Sequence, residues 1–159
     1  MAELDPSDAQ VLYRTTTGIV LRWRSAIIQY RNGPLDGRVF DIAAAAKPSD
    51  DGGPVALLGV LGPGAITPDL LSRMHQRRVL KEMLERVDGY SAVVIQESVQ
   101  SAEGLPLSSR LVTQASSRME FMSTVGAATR WLGERTKRGR ELEALWKRIV
   151  TRENIYGVS

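Results

Sequence analysis

The chain contains no cysteine and a single histidine, His75. Without thiols there are no disulfides, no thiolate nucleophile and no sulfur-ligated metal site. A zinc site built on one imidazole and several carboxylates would be uncommon. Histidine catalysis needs a nucleophile and an orienting carboxylate beside the ring; the helical projection instead sets His75 among polar residues, as a solvated side chain. No apolar run approaches the roughly 20 residues that a bilayer-spanning helix requires. The opening MAELDPSDAQ is acidic and polar and has no apolar segment of the kind a signal peptide carries. The expectation is a soluble, cytoplasmic protein without cofactor. Charge of one sign is also scarce: 21 Lys and Arg face 18 Asp and Glu, a formal +3. That is too little to argue for nucleic acid by itself, so nucleic acid is not the expected partner.

What is present suits one domain: 159 residues, 43% hydrophobic and 25% charged. The most informative stretch is Pro54 to Gln96. PVALLGVL is a short continuous apolar run, as expected of a strand buried on both faces of a parallel sheet. GPGAITPD then makes a glycine-rich turn. Thr67 can N-cap the helix that follows, Pro68 fits its first position and Asp69 complements its dipole. The helix ends at Asp88-Gly89, and YSAVVIQ reads as a second buried strand. The whole is a strand–helix–strand unit.

The flanking segments extend this pattern. Residues 1–9 read as a flexible leader. Gln10–Thr17 and Ile19–Gln29 read as strands about Gly18; in the second, Ile19, Leu21 and Trp23 alternate with Val20 and Arg22. Whether Ala26–Tyr30 continues that strand or forms another is left open. Leu35–Lys47 reads as a helix, helped by its alanine run, and the following SDDGGP as a loop. Pro106–Ser116 reads as a helix, Arg118–Ser123 as a short strand, and a last helix starts near Val125, weakened at Gly133 and Gly139. The predicted fold is α/β, a mixed sheet of about five strands with four helices in the order ββαβαβαβα. The domain is placed at residues 10–138, with 139–159 as an amphipathic helical extension and frayed end.

This order of elements resembles the STAS-like domains typified by the anti-sigma-factor antagonists. The resemblance rests on the strand–turn–helix at Val55–Arg86 and on RMEFMSTVGAATRWL, a short strand running into a helix. Phosphorylated members of that family carry an Asp-Ser-Ser-Gly-Leu type of turn at the start of the helix after the third strand. Here the turn reads Gly62-Pro63-Gly64-Ala65-Ile66-Thr67-Pro68-Asp69, and Thr67 is its only hydroxyl. The resemblance implies a non-enzymatic module that binds another protein.

Four groups of residues are candidates for function. The Gly62–Asp69 turn opens a helix and could hold an anion on its backbone N–H groups, although it is not a P-loop, since no Lys-Ser or Lys-Thr follows. Arg73, Arg77 and Lys81 recur every four residues and form one ridge. At about 100° per residue Arg73 and Arg77 fall among Leu70, Met74, Leu80 and Leu84, either as aliphatic stems at the rim of the core or as a stripe that meets an acidic partner. The carboxylates Asp36, Asp41, Asp50, Asp51, Glu97 and Glu103 are scattered; Glu97, at a strand end, is the one an enzyme would use. Leu142, Leu145, Trp146 and Ile149 lie on one side of the last helical segment. If the domain closes near Arg138, this apolar stripe either packs back on it or meets a partner. The basic residues around it, Arg135 to Arg152, allow a third reading as a nucleic-acid contact. The function expected is a regulatory or scaffolding protein–protein interaction module that self-associates as a homodimer. Thr67, Arg73 and Arg77 would form one contact surface, and Leu142, Leu145, Trp146 and Ile149 the other. The alternative is a small-molecule or anion-binding protein with its site at the Gly62–Asp69 turn.

Overall fold

Six strands lie side by side in chain order: β1 (Gln10–Thr15), β2 (Gly18–Trp23), β3 (Ala26–Arg31), β4 (Ala56–Leu61), β5 (Tyr90–Ile95) and β6 (Met119–Met122). β1, β2 and β3 form an antiparallel meander; β3, β4, β5 and β6 run parallel. Three helices complete the described structure: α1 (Leu70–Arg86), α2 (Val125–Thr136) and α3 (Gly139–Glu153). The computed structural model describes residues 9–33, 54–62, 64–65, 70–95 and 117–153, without the side chains of 70–77 and 153. The α/β class and the mixed sheet are those the sequence predicts. The count differs, with six strands in place of about five and, among the described residues, three helices in place of four. The helices predicted at Leu35–Lys47 and Pro106–Ser116 lie outside the described residues, as does the leader up to residue 8.

The extra strand comes from a reversal at Arg24-Ser25. Trp23 pairs with Ala26, so two residues make the whole turn. Arg24 adopts φ 58°, a conformation that two-residue hairpins ordinarily give to Gly, Asn or Asp. An arginine there carries no local signal of a turn. At the first hairpin Thr16-Thr17 is the loop, and Gly18 serves a different need. A Cβ on Gly18 would lie 2.6 Å from Arg31 Cδ and 2.8 Å from the Tyr30 carbonyl oxygen. The glycine therefore admits the buried Arg31 side chain next to it.

The alternation of side chains sorts the strands onto two faces. One face presents Ile19, Leu21 and Trp23 of β2, Ala26, Ile28 and Tyr30 of β3, Ala56, Leu58 and Val60 of β4, and Ala92 and Val94 of β5. The other presents Val20, Ile27, Val55, Leu57 and Met119, covered by Leu80, Met83 and Leu84 of α1. α1 joins β4 to its parallel neighbour β5. Its end is closed by the Gly89 N–H on the Leu84 carbonyl at 2.8 Å, with Asp88 left-handed at φ 52°.

The first face is roofed by α2 and α3. Val125, Ala128 and Leu132 of α2 and Leu142, Leu145, Trp146 and Ile149 of α3 join its core. α3, which the sequence places in an extension beyond residue 138, thus shares one core with β2–β5. α2 starts at Thr124, whose hydroxyl accepts the Ala127 N–H at 3.1 Å. It stops at Lys137, left-handed at φ 60°, whose N–H reaches the Gly133 carbonyl at 2.9 Å. Gly133 and Gly139, read in the sequence as weak points of a helix, are where the two helices touch. A Cβ on Gly139 would lie 2.9 Å from the Thr129 carbonyl oxygen and 3.1 Å from Gly133 Cα. Glu141 then pins the corner: its carboxylate lies 3.4 Å from Arg138 Nη1 and 3.7 Å from Arg24 Nη1, tying α3 to the β2–β3 turn.

Three outcomes follow from this packing. Leu145 is fully buried, so Leu145→Ala should lower stability in a denaturant melt by about 2–5 kcal/mol. Gly126 has open space where a Cβ would stand, so Gly126→Ala should stabilise α2 by about 0.5–1 kcal/mol. Gly139→Ala should destabilise instead, by about 1–3 kcal/mol, because backbone atoms on both sides must part.

Candidate functional site

The outer side of α1 is polar by the same periodicity that seats its inner side. Leu80, Met83 and Leu84 are buried, and the intervening Arg78, Lys81, Glu82, Glu85 and Arg86 are exposed. Lys81 belongs to the ridge that contains Arg77 and Arg73, one and two turns earlier, and it stands in solvent. The backbone of Arg73, His75 and Arg77 is helical; their side chains lie outside the described ones. Arg78 and Arg86, which the projection sets away from the apolar side, are both exposed.

The glycine-rich turn sits at the carboxyl ends of β3 and β4. Its three described N–H groups are all engaged within the protein. Gly62 donates to the Arg31 carbonyl at 2.7 Å, Ala65 to the Gly62 carbonyl at 3.0 Å, and Gly64 to Asn32 Oδ1 at 2.7 Å. The glycines are needed because side chains from β3 and the residue after it fill the turn. A Cβ on Gly62 would lie 2.7 Å from the Tyr30 hydroxyl and 2.9 Å from Asn32 Oδ1, and one on Gly64 2.8 Å from Asn32 Oδ1. This part of the turn is a clasp on Asn32, with no described N–H directed at an external anion. Thr67 and Asp69 lie outside the described residues. Open α/β sheets place ligand crevices where the strand order reverses, and here the order follows the chain from β1 to β6 without reversal.

The apolar stripe of α3 has found its partner within the chain. Leu142, Leu145 and Ile149 are at most 1% exposed and Trp146 is 9% exposed. The Trp146 ring lies 5.9 Å from that of Tyr30 at a 54° tilt. Of the two homes that the sequence leaves open for these four residues, the structure gives the chain's own sheet. They are core, and the self-association expected through them has no exposed stripe to use.

One cluster was not singled out in the sequence. Arg118, just before β6, places Nη1 3.1 Å from Asp88 Oδ1 and 3.1 Å from the Gly89 carbonyl oxygen, and its guanidinium lies over the Tyr90 ring at 5.1 Å. Tyr90 meets Trp131 edge-on at 6.3 Å, and Arg135 covers Trp131 at 4.0 Å. These residues come from β5, the approach to β6 and α2, so no local spacing could announce them. Each ring is already stacked by a guanidinium of the same chain, and the cluster joins the rim of α2 to the sheet.

Among the described residues no three of His, Asp or Glu come together as a metal-binding group. Asp36, Asp41, Asp50, Asp51, Glu97 and Glu103 lie outside the described residues. No family model, no curated protein and no solved structure matches the chain.

The clasp on Asn32 gives a direct check. Asn32→Ala removes the acceptor of the Gly64 N–H and should lower stability by about 1 kcal/mol. Amide exchange at Gly64 should speed up, while that at Leu58 in the centre of β4 should change only by the global amount.

Proposed function

We propose that the chain is a STAS-like interaction module that acts by binding another protein, with α1 as its recognition surface. The observation that carries this reading is the exposure of Lys81 beside buried Leu80 and Leu84. An amphipathic helix is anchored on the sheet by its apolar side and presents the end of a basic ridge outward. Exposed acidic residues, Glu82 and Glu85, flank it, so a partner would meet both signs in a fixed register, which favours selectivity over raw affinity. The strand–helix–strand unit and the meander that precedes it supply a rigid platform, since β3, β4 and β5 are paired on both edges.

The test is affinity capture from extracts of the native cell, with wild type and the triple variant Arg73→Glu, Arg77→Glu, Lys81→Glu compared at equal thermal stability. The expected result is one or more proteins retained by wild type and lost with the variant. Undiminished retention by the variant would remove α1 as the recognition surface. Retention of nothing by the wild-type chain would remove the interaction reading as a whole.

A further inference from the structure

The opposite side of the molecule has a different electrostatic character. Among the described side chains of α2, Lys137 and α3, the exposed charged ones are Arg130, Arg135, Lys137, Arg140, Lys147 and Arg152, against Glu134 and Glu143. Among the described side chains of α1 the exposed basic and acidic groups are nearly balanced, Arg78, Lys81 and Arg86 against Glu82 and Glu85. Among the described side chains, the excess of exposed basic over acidic groups is therefore larger on this layer than on α1. Glu141, the third acidic residue among the described side chains of the α2–α3 layer, is turned inward, where Arg138 and Arg24 hold it. Its burial removes a negative charge from the outer surface.

We infer that the outer surface of the α2–α3 layer is a second docking face, for an acidic segment of another protein. Three features of the face select this occupant. The apolar side of α3 is in the core, so this helix has no hydrophobic wedge with which to enter a membrane surface. The nearby rings of Tyr90 and Trp131 are covered by Arg118 and Arg135, which leaves their stacked faces closed to unpaired bases. Glu134 and Glu143 interrupt the basic surface; they would repel a continuous phosphate backbone, whereas the side chains of a protein segment can leave gaps opposite them. The inference goes beyond the proposed role of α1, because it concerns the other side of the sheet and makes the chain a connector between two partners.

The experiment is fluorescence anisotropy with the full chain and two labelled probes, a poly-glutamate peptide and a mixed-sequence duplex DNA, titrated across a range of salt concentrations. Four proteins are compared: wild type, the double variant Arg130→Glu, Lys147→Glu, its neutral counterpart Arg130→Gln, Lys147→Gln, and Arg78→Glu, Arg86→Glu on α1, which changes the net charge as much as the first double variant. Wild type should bind poly-glutamate at low salt more tightly than the duplex. Arg130→Glu, Lys147→Glu should weaken that binding at least tenfold, and Arg78→Glu, Arg86→Glu by less than twofold. The neutral pair Arg130→Gln, Lys147→Gln should fall between wild type and the charge-reversed pair, and thermal melts confirm that all variants fold. Equal losses from the two charge-reversed variants, or none, would overturn the inference. Tighter binding of the duplex would overturn it in favour of nucleic acid. None of these results depends on what α1 recognises.

Discussion

A strand in the middle of a parallel sheet has two sides to cover, and that requirement organises this chain. β4 shows it most plainly, with Ala56, Leu58 and Val60 directed one way and Leu57 the other, all of them buried. Because the strands follow one another without reversal, each parallel connection steps in the same direction. α1 occupies one side, and the opposite side is roofed by chain that comes after the last strand. α2 and α3 are that roof, and the Gly133–Gly139 contact lets them fold back sharply enough to form it.

The same requirement explains what could and could not be read in advance. The period-two alternation that begins at Ile19 and the apolar run at Val55–Leu61 are local; the second strand lies where it was expected, whereas the first, expected over Ile19–Gln29, stops at Trp23. The end of α1 at Asp88-Gly89 is likewise written in adjacent residues. The division of β2 from β3 was not legible, because Arg24 takes a backbone conformation that its side chain does not advertise. The stripe Leu142, Leu145, Trp146 and Ile149 was visible as a stripe. Its destination was not, since that depends on a sheet face whose β2 and β3 residues lie more than a hundred positions earlier.

The candidate sites divide along the same line. The glycines of the Gly62–Ala65 turn drew attention as a possible anion cradle, yet their role is set by Asn32 and Tyr30, which a sequence scan has no means of placing beside them. The arginine–aromatic rim of Arg118, Tyr90, Trp131 and Arg135 was invisible for the same reason. Helical spacing groups Lys81 with Arg73 and Arg77 on one ridge beside the apolar side, and the structure shows that Lys81 stands in solvent. Charge on α2 and α3 could be counted in the sequence, but not that Glu141 is drawn inward between two arginines.

The roof also has a bearing on how the protein is made. All six strands leave the ribosome before the helices that cover their second face. Until Leu142, Leu145, Trp146 and Ile149 emerge, a nascent sheet would present Leu21, Ile28, Leu58 and Val94 to water. During synthesis the sheet thus carries an uncovered apolar face until α3 follows it, the kind of transient exposure that makes incomplete chains prone to aggregate.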